Sequence, residues 1–171
     1  GVIVALTLDE SGIPETAEGR VAIAKKILAE AEKYGISKKD IIFDPLTLTV
    51  SADGNAARET LRAVRTIKEE LGCHTSLGVS NVSFGLPQRD VLNGAFFLLA
   101  MENGLSAAIM NPYSIEMMKA YYSYCALLGL DSNCAEYIEF VQNMPAAAAG
   151  IIPGGNSGAT EEQYKSELQK A

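Results

Sequence analysis

The 171-residue chain contains no tryptophan, one histidine and three cysteines. A single histidine leaves little material for a histidine-based catalytic site, and His74 is predicted to open a strand rather than to follow one. Cys73, Cys125 and Cys134 match no zinc-binding spacing, and an odd number leaves at least one thiol unpaired. We therefore expect reduced thiols, a structural histidine and no metal ligand in this chain.

Positive charge and long apolar runs are also scarce. The 14 lysines and arginines are outnumbered by 21 acidic residues, and the net charge of −7 argues against a nucleic-acid partner. No apolar run approaches the roughly 18 residues that a membrane-spanning helix needs, and no basic segment typical of a signal peptide opens the chain. We expect a cytoplasmic protein without a membrane partner.

Two glycine-rich phosphate motifs are missing. No predicted strand is followed by GxGxxG or by GxxxxGK[ST], the loops whose backbone N–H groups hold dinucleotide or nucleotide phosphates. The chain therefore lacks the features expected of a dinucleotide or nucleoside triphosphate site.

What the chain does contain is a repeated strand and helix pattern. Apolar segments start near residues 2, 41, 75 and 105, and each is followed by a segment with helical periodicity. Units of roughly 30 to 40 residues are the size of a βα repeat, and near-continuous apolar strands are typical of a parallel sheet covered on both faces. A complete (β/α)8 barrel needs roughly 250 residues. The sequence therefore predicts an α/β fold, half of a (β/α)8 barrel with four βα units.

Caps and apolar stripes locate the helices. Thr16 can cap the first helix and Gly35 can end it, whereas Asp53 is predicted to start the second helix and Gly72 to end it. The third strand is predicted over residues 75–80. The remaining helices are predicted over residues 89–101, 114–128 and 131–142.

The composition changes after residue 143. Residues 144–159 are rich in Pro, Ala and Gly and are predicted to be a linker, and residues 160–171 are predicted to begin a further helix. We therefore expect residues 1–143 to form the half-barrel and the chain to have been cut from a longer protein.

Each predicted strand ends in a polar group. These groups are Asp9, Asp44, the pair Ser80 and Asn81, and Asn111. In parallel α/β proteins the carboxyl ends of the strands carry the chemistry, so we expect these side chains to share one rim.

The strand ends resemble a known family in both order and spacing. The segments TLDE at 7–10 with GIP at 12–14, FDPL at 43–46, GVSNVS at 78–83 and AAIM at 107–110 carry the resemblance. Together they resemble the pterin-binding barrel, in its C-terminal half, of the methyltetrahydrofolate:corrinoid methyltransferases, a family that includes cobalamin-dependent methionine synthase. The tail resembles the join to the helical cap of a cobalamin-binding module.

The resemblance implies roles for particular residues. Asp44 matches the acid that hydrogen-bonds the amino-pyrimidinone edge of the pterin. Asn81 matches the asparagine that approaches N5 of the pterin, and Asn81 is therefore the candidate catalytic residue. Positions lining the pterin ring are matched by Gly78, Ser80 and Ile109.

The resemblance also implies an activity and partners. The expected reaction transfers the N5 methyl group of methyltetrahydrofolate to a cobalamin held by another domain or partner, in methionine synthesis from homocysteine. The other expected partner is the missing N-terminal half of the barrel, and without it this chain should be inactive. The open edges of the half-barrel could also pair with those of a second copy to form a homodimer. One departure is Phe84, where some relatives carry glutamine.

Two other interpretations remain open. A pterin enzyme resembling dihydropteroate synthase is disfavoured, because no lysine or arginine stands at the predicted strand mouths to bind a pyrophosphate leaving group. A non-catalytic half-barrel that acts as an assembly module is the other alternative, and a stable closed homodimer would support it.

Overall fold

In the computed structural model, residues 1–145 are described, and they form an α/β unit in which strands and helices alternate. The strands are all parallel and lie side by side in chain order. This architecture confirms the predicted four βα units of a partial (β/α)8 barrel. The strands are β1 (Ile3–Leu6), β2 (Ile41–Asp44), β3 (His74–Gly78) and β4 (Ala107–Ile109), and the helices are α1 (Ala17–Lys33), α2 (Ala56–Glu69), α3 (Arg89–Glu102), α4 (Ile115–Leu127) and α5 (Ala135–Gln142).

The predicted half-barrel boundary at residue 143 falls just after α5. The predicted linker over residues 144–159 lies almost entirely outside the described residues, and the predicted helix over residues 160–171 lies wholly outside them.

The ends of α1 confirm the predicted caps. The Thr16 hydroxyl accepts the N–H of Gly19 at 3.2 Å, which satisfies one free donor of the first turn. Gly35 follows the helix with φ +70°, the left-handed conformation that ends many helices and that glycine adopts without a steric cost.

Two predicted helix starts are wrong, and in both cases an aspartate carboxylate is the reason. Asp53 accepts the N–H of Asn55 at 2.9 Å, which forms a turn, so α2 begins at Ala56. Asp131 accepts the N–H groups of Glu136 and Tyr137 at 3.1 and 2.9 Å, so it caps α5 from outside the helix. Asp53 therefore closes a turn before α2, whereas Asp131 caps the first turn of α5 from four residues before its start.

The third strand is also shorter than predicted. It ends at Gly78, and Val79–Ser83 forms a 3₁₀ turn. Ser80 and Asn81 are therefore held on a tight turn directly beyond the strand, where the backbone curls over the end of the sheet.

Two apolar clusters form the core, and α2 contributes to both. Ile67 packs into the cluster beside β1 and β2, and Val64 packs into the cluster beside β3. The first cluster contains Ala5, Val21, Ala24, Ile41, Phe43, Ile67 and Cys73, and the second contains Val64, Leu77, Val79, Val82, Phe96, Phe97, Ala100, Met117 and Ala120.

The outer strands leave apolar side chains uncovered. Among the described residues β1 pairs only with β2, and β4 pairs only with β3. On β1, Ile3, Val4 and Leu6 are 45%, 55% and 44% exposed, and Ile109 at the end of β4 is 66% exposed. Residues 1–145 also contain no helix with the length and apolar character needed to cross a membrane.

Candidate functional site

A cleft of about 480 Å³ opens at the carboxyl ends of β2, β3 and β4. Its volume lies within the range of roughly 300 to 1,000 Å³ that is usual for small-molecule sites. The cleft brings together all five residues that the resemblance assigns to the pterin. Its lining comprises Asp44, Leu46, Thr47, Gly78, Ser80, Asn81, Ile109, Met110 and Asn111.

Three of the four polar strand ends share this rim, and Asp9 does not. The backbone of Asp9 exchanges two hydrogen bonds with Gly12, and its carboxylate accepts the N–H of Ser11 at 2.9 Å. This carboxylate therefore closes its own turn. His74 lies at the other end of β3, with its Nδ1 3.3 Å from the hydroxyl oxygen of Ser106.

Asp44 supplies a buried carboxylate at the end of β2. Only 7% of the residue is exposed, and Pro45 after it cannot continue the strand pairing. Its Oδ1 accepts the N–H of Leu46 at 2.8 Å, whereas Oδ2 makes no hydrogen bond to any described residue. Burial raises the pKa of Asp44 above its ordinary value, and the Leu46 N–H partly opposes this rise. Asp44 is therefore an acceptor with one oxygen available to a ligand.

Asn81 presents a free amide to the same cleft. It lies on the 3₁₀ turn after β3, its side chain is exposed, and that side chain makes no hydrogen bond to a described residue. The amide lies against Gly78, where an added Cβ would be only 3.1 Å from Nδ2. The lack of a side chain at Gly78 therefore gives the amide room to lie over the strand end.

The turn that carries Asn81 is held from the start of α3. Arg89 donates from Nη2 to the Ser80 carbonyl at 2.7 Å and from Nε to the Ser83 hydroxyl oxygen at 3.0 Å. The Ser83 hydroxyl, buried in the core, lies 2.7 Å from Oδ1 of Asn93, which can accept its proton. Arg89 also lies over the ring of Phe84, 5.9 Å from its centroid. The turn is thus fixed without the Asn81 side chain.

Ile109 completes the apolar side of the cleft. It pairs in register with Gly78 across β3 and β4, and its side chain is 66% exposed. An exposed apolar side chain beside a polar pocket can pack against a flat ring.

Sequence reasoning did not assign a role to three cleft-lining residues, namely Leu46, Thr47 and Met110. Leu46 and Thr47 follow Asp44 and Pro45 directly, and Met110 follows the last residue of β4. Their positions directly after strand ends were the available signal. Arg89 was missed because a charged residue at the start of a helix has no distinctive pattern.

No group of three His, Cys, Asp or Glu side chains in residues 1–145 is arranged to hold a metal ion. The cleft contains one ionisable lining residue, Asp44. A second cavity, of about 560 Å³, lies between α4 and α5 and contains none of the strand-end residues.

The sequence is similar to a methylcorrinoid:tetrahydrofolate methyltransferase and to two methionine synthases. Over 138 residues, or 79% of this chain, it is 36% identical to the methylcorrinoid:tetrahydrofolate methyltransferase of Eubacterium limosum. Over 121 residues, or 66% of the chain, it is 36% identical to the methionine synthases of Mycobacterium tuberculosis and Mycobacterium leprae. The match spans 50% of the Eubacterium protein and 10% of each methionine synthase.

The family match covers the strand ends themselves. Residues 7–111 match the pterin binding enzyme family, so the matched segment begins directly after β1 and ends at Asn111, beyond β4. This segment includes every residue that lines the cleft. The chain belongs to the pterin binding enzyme family.

Proposed function

We propose that this chain is part of an enzyme that transfers a methyl group between the N5 atom of a folate and a corrinoid. The relatives support this reaction class, since they include a methylcorrinoid:tetrahydrofolate methyltransferase and methionine synthases. The observation that carries the proposal is the cleft in which Asp44 and Asn81 face the same space.

Asp44 is the proposed anchor for the pterin. The amino-pyrimidinone edge of a pterin presents adjacent N–H donors, and a carboxylate can accept from two such donors in a charge-assisted pair. The free Oδ2 of Asp44 supplies an acceptor, and Oδ1 has a second lone pair beside the Leu46 N–H. Gly78, Ser80 and Ile109 are proposed to lie along the ring.

Asn81 is the proposed catalytic residue. When the methyl group leaves N5, its bonding electrons stay on that nitrogen, which gains electron density. An amide N–H held near N5 stabilises this density without needing to change its own protonation state. The unpartnered side chain of Asn81 meets this requirement, because it has no competing hydrogen bond to a described residue.

The corrinoid is proposed to be bound by another domain or partner. When bound, it supplies the cobalt that exchanges the methyl group with the folate. The role of the present residues is to hold the pterin with N5 directed out of the open cleft. A reaction like that of dihydropteroate synthase is less well supported. Its leaving group is pyrophosphate, and no lysine or arginine is among the residues that line the cleft to bind it.

We propose transfer from methyltetrahydrofolate to cobalamin, in the direction of methionine synthesis. The same site serves the reverse direction, because the forward and reverse reactions share one transition state. The assignment to methionine synthesis rests on the resemblance of the sequence after residue 143 to the join with the helical cap of a cobalamin-binding module.

The rest of the barrel is the proposed structural partner. The chain spans about half the length of the Eubacterium relative, and β1 and β4 each lack a second neighbour among the described residues. We propose that an N-terminal half-barrel pairs with these edges and supplies the remaining pterin contacts.

A single-turnover assay tests the proposed function. The complete protein is mixed with methyltetrahydrofolate and reduced cobalamin, and methylcobalamin formation is followed by its absorbance. We expect methyl transfer that depends on the folate. Absence of transfer in either direction by a folded complete protein that binds cobalamin would overturn the proposal.

A further inference from the structure

Arg20 is a fully buried charged residue on α1, with 0% of its surface exposed. It forms no salt bridge with a described residue, since its hydrogen bonds go to two backbone carbonyls and one hydroxyl. Burial lowers the pKa of Arg20, and the nearby charge of Glu59 opposes this effect. A buried guanidinium without a direct carboxylate partner is costly, so its contacts call for an explanation.

The most informative contact of Arg20 is with Leu46. Its Nη1 donates to the Leu46 carbonyl at 3.1 Å and to the Thr60 hydroxyl oxygen at 2.8 Å, and that hydroxyl lies 3.2 Å from the same carbonyl. Leu46 has φ +65°, a left-handed conformation that is unfavourable for a residue with a Cβ. Arg20 and Thr60 therefore stabilise an unfavourable backbone conformation in a cleft-lining residue.

The other end of Leu46 contacts the proposed pterin anchor. Its N–H donates to Oδ1 of Asp44 at 2.8 Å. The conformation that directs the Leu46 carbonyl toward Arg20 thus also directs the Leu46 N–H toward the carboxylate. One residue links the buried guanidinium to the rim of the cleft.

Contacts before α1 and on α2 hold the guanidinium in place. Its Nε donates to the Pro14 carbonyl at 2.9 Å, and Pro14 lies against Gly19, where an added Cβ would be 2.7 Å from the Pro14 Cβ. Glu59 accepts the N–H of Ala17 at 2.8 Å, which joins the first turn of α1 to α2. The guanidinium is therefore held through Nε by the Pro14 carbonyl and through Nη1 by Leu46 and Thr60.

We propose that Arg20 is a positioning residue, which orients the Asp44 carboxylate for the pterin through the Leu46 backbone. This inference rests on the proposed role of Asp44 as the pterin anchor. Arg20 does not touch the cleft, so its effect on ligand binding passes through the Leu46–Asp44 hydrogen bond.

The competing explanation is that Arg20 only joins α1 to α2. Both explanations predict a less stable protein when Arg20 is replaced, so stability does not separate them. The titration of Asp44 does, because Asp44 is the one ionisable residue lining the cleft. Losing the Leu46 N–H while Asp44 stays buried raises the pKa of Asp44, whereas local unfolding lowers it toward its ordinary value.

The test uses Arg20→Met in the complete, ligand-free protein, with the Asp44 side chain followed by carbon-13 NMR during a pH titration. Ile67→Ala is the control for a general loss of stability. Ile67 is fully buried on α2, and its apolar side chain takes no part in the hydrogen bonds that link Arg20, Leu46 and Asp44. We expect a higher Asp44 pKa in Arg20→Met and an unchanged one in Ile67→Ala. An unchanged or lower Asp44 pKa in Arg20→Met overturns the proposal.

If Arg20→Met does not fold, Thr60→Val serves as the second variant. It removes the hydroxyl that contacts both Arg20 and the Leu46 carbonyl, and it keeps the side-chain shape. We expect a smaller rise in the Asp44 pKa, and an unchanged value overturns the proposal.

Folate affinity, measured on the same variants, separates this inference from the proposed function. We expect Arg20→Met to bind methyltetrahydrofolate about tenfold more weakly, the effect of roughly one misplaced hydrogen bond. A raised Asp44 pKa with unchanged folate affinity would mean that Arg20 orients the Asp44 carboxylate but that this carboxylate does not anchor the pterin.

Discussion

The Arg89 guanidinium donates a 2.7 Å hydrogen bond to the carbonyl of Ser80, one residue before Asn81. Together with the Phe84 N–H, which donates to the Asn81 carbonyl at 3.2 Å, it holds the turn through contacts that do not use the Asn81 side chain. Asparagine often stabilises turns through its own side chain, but this turn does not depend on that habit. The Asn81 side chain can therefore be removed without removing the support of the turn.

Asn81→Ala in the complete protein is expected to slow methyl transfer. A donor whose hydrogen bond strengthens as N5 gains electron density lowers the barrier more than it stabilises bound substrate. We expect the single-turnover rate to fall roughly 10²- to 10³-fold, as with the loss of one preorganised donor, and folate affinity to change less. The midpoint of thermal unfolding should be almost unchanged.

Asn55→Ala is a matched control for this experiment. Asn55 is exposed before α2, makes no side-chain cap and does not line the cleft. Its substitution should leave the transfer rate unchanged. A normal transfer rate in Asn81→Ala, combined with a lower unfolding midpoint, would assign Asn81 to the turn instead of to the chemistry.

Asp44→Asn is expected to weaken folate binding without weakening the fold. Loss of a charged hydrogen bond costs about 1.5–3 kcal/mol, which corresponds to roughly a 10- to 150-fold loss of affinity in calorimetry. Because burial raises the Asp44 pKa, the folded protein holds this proton more tightly than the unfolded chain does. The ionised carboxylate therefore reduces stability at neutral pH, and Asn removes that cost.

Asp53→Asn tests whether the effect depends on position. Asp53 accepts the N–H two residues ahead at 2.9 Å, as Asp44 does at 2.8 Å, but it is exposed and lies outside the cleft. We expect Asp53→Asn to bind folate normally. Unchanged affinity in Asp44→Asn, or an equal loss in both variants, would contradict the assignment.

Folate affinity should also depend on pH through Asp44. The proposed contact requires the carboxylate, so affinity should fall as the pH drops through the raised pKa of Asp44. The inflection should lie above the ordinary aspartate value of about 3.9. Calorimetric titrations over a pH series provide the measurement, and Asp44→Asn should lack this inflection. Persistence of the same inflection in Asp44→Asn would assign it to another group.

The sequence predicted the elements because hydrophobic periodicity and caps are local signals. The four strands, the cap at Thr16 and the end at Gly35 depend on neighbouring residues, and the structure confirms them. The starts of α2 and α5 were wrong because an aspartate before a helix can form a turn, as Asp53 does, or cap the helix from several residues away, as Asp131 does, and the residue type alone does not distinguish these cases from a helix start.

The site was predictable only in part for a related reason. Strand ends can be located from the sequence, and Asp44 and Asn81 do line one cleft. The supporting residues could not be found in this way, because Arg20 and Arg89 act over 26 and 9 residues of sequence separation. Such contacts arise from how the helices pack and leave no periodic signature.

Gly94→Ala is expected to destabilise the packing of α3 against α4. A Cβ at Gly94 would lie 2.7 Å from the backbone carbonyl oxygen of Glu116, which cannot move away as a side chain can. Overpacking costs about 1–3 kcal/mol and outweighs the gain of at most about 1 kcal/mol from replacing a helical glycine. Urea unfolding of the complete protein measures the change. Gly54→Ala is the control, because an added Cβ there meets nothing within 4 Å, and equal stability of the two variants would contradict the close approach.

The 171-residue chain on its own is expected to self-associate through the edges of its sheet. Unpaired strand edges with exposed apolar side chains are templates for pairing, and β1 exposes Ile3, Val4 and Leu6. A specific contact should bury more than about 1,000 Å² in total, and sedimentation velocity over a concentration series should detect it.

Two valine substitutions determine whether β1 carries this contact. Val4 on β1 is 55% exposed and Val91 on α3 is 59% exposed, so Val4→Lys and Val91→Lys add the same charge at similar exposure. A lysine on an edge strand opposes pairing, because a new strand would bury its charge. We expect Val4→Lys to be monomeric and Val91→Lys to associate like the unsubstituted chain.

In the complete protein, where the N-terminal half-barrel is proposed to cover β1, Val4→Lys should instead lower stability. A folded parent chain that stays monomeric at high concentration, with both edges open to solvent, would overturn this prediction.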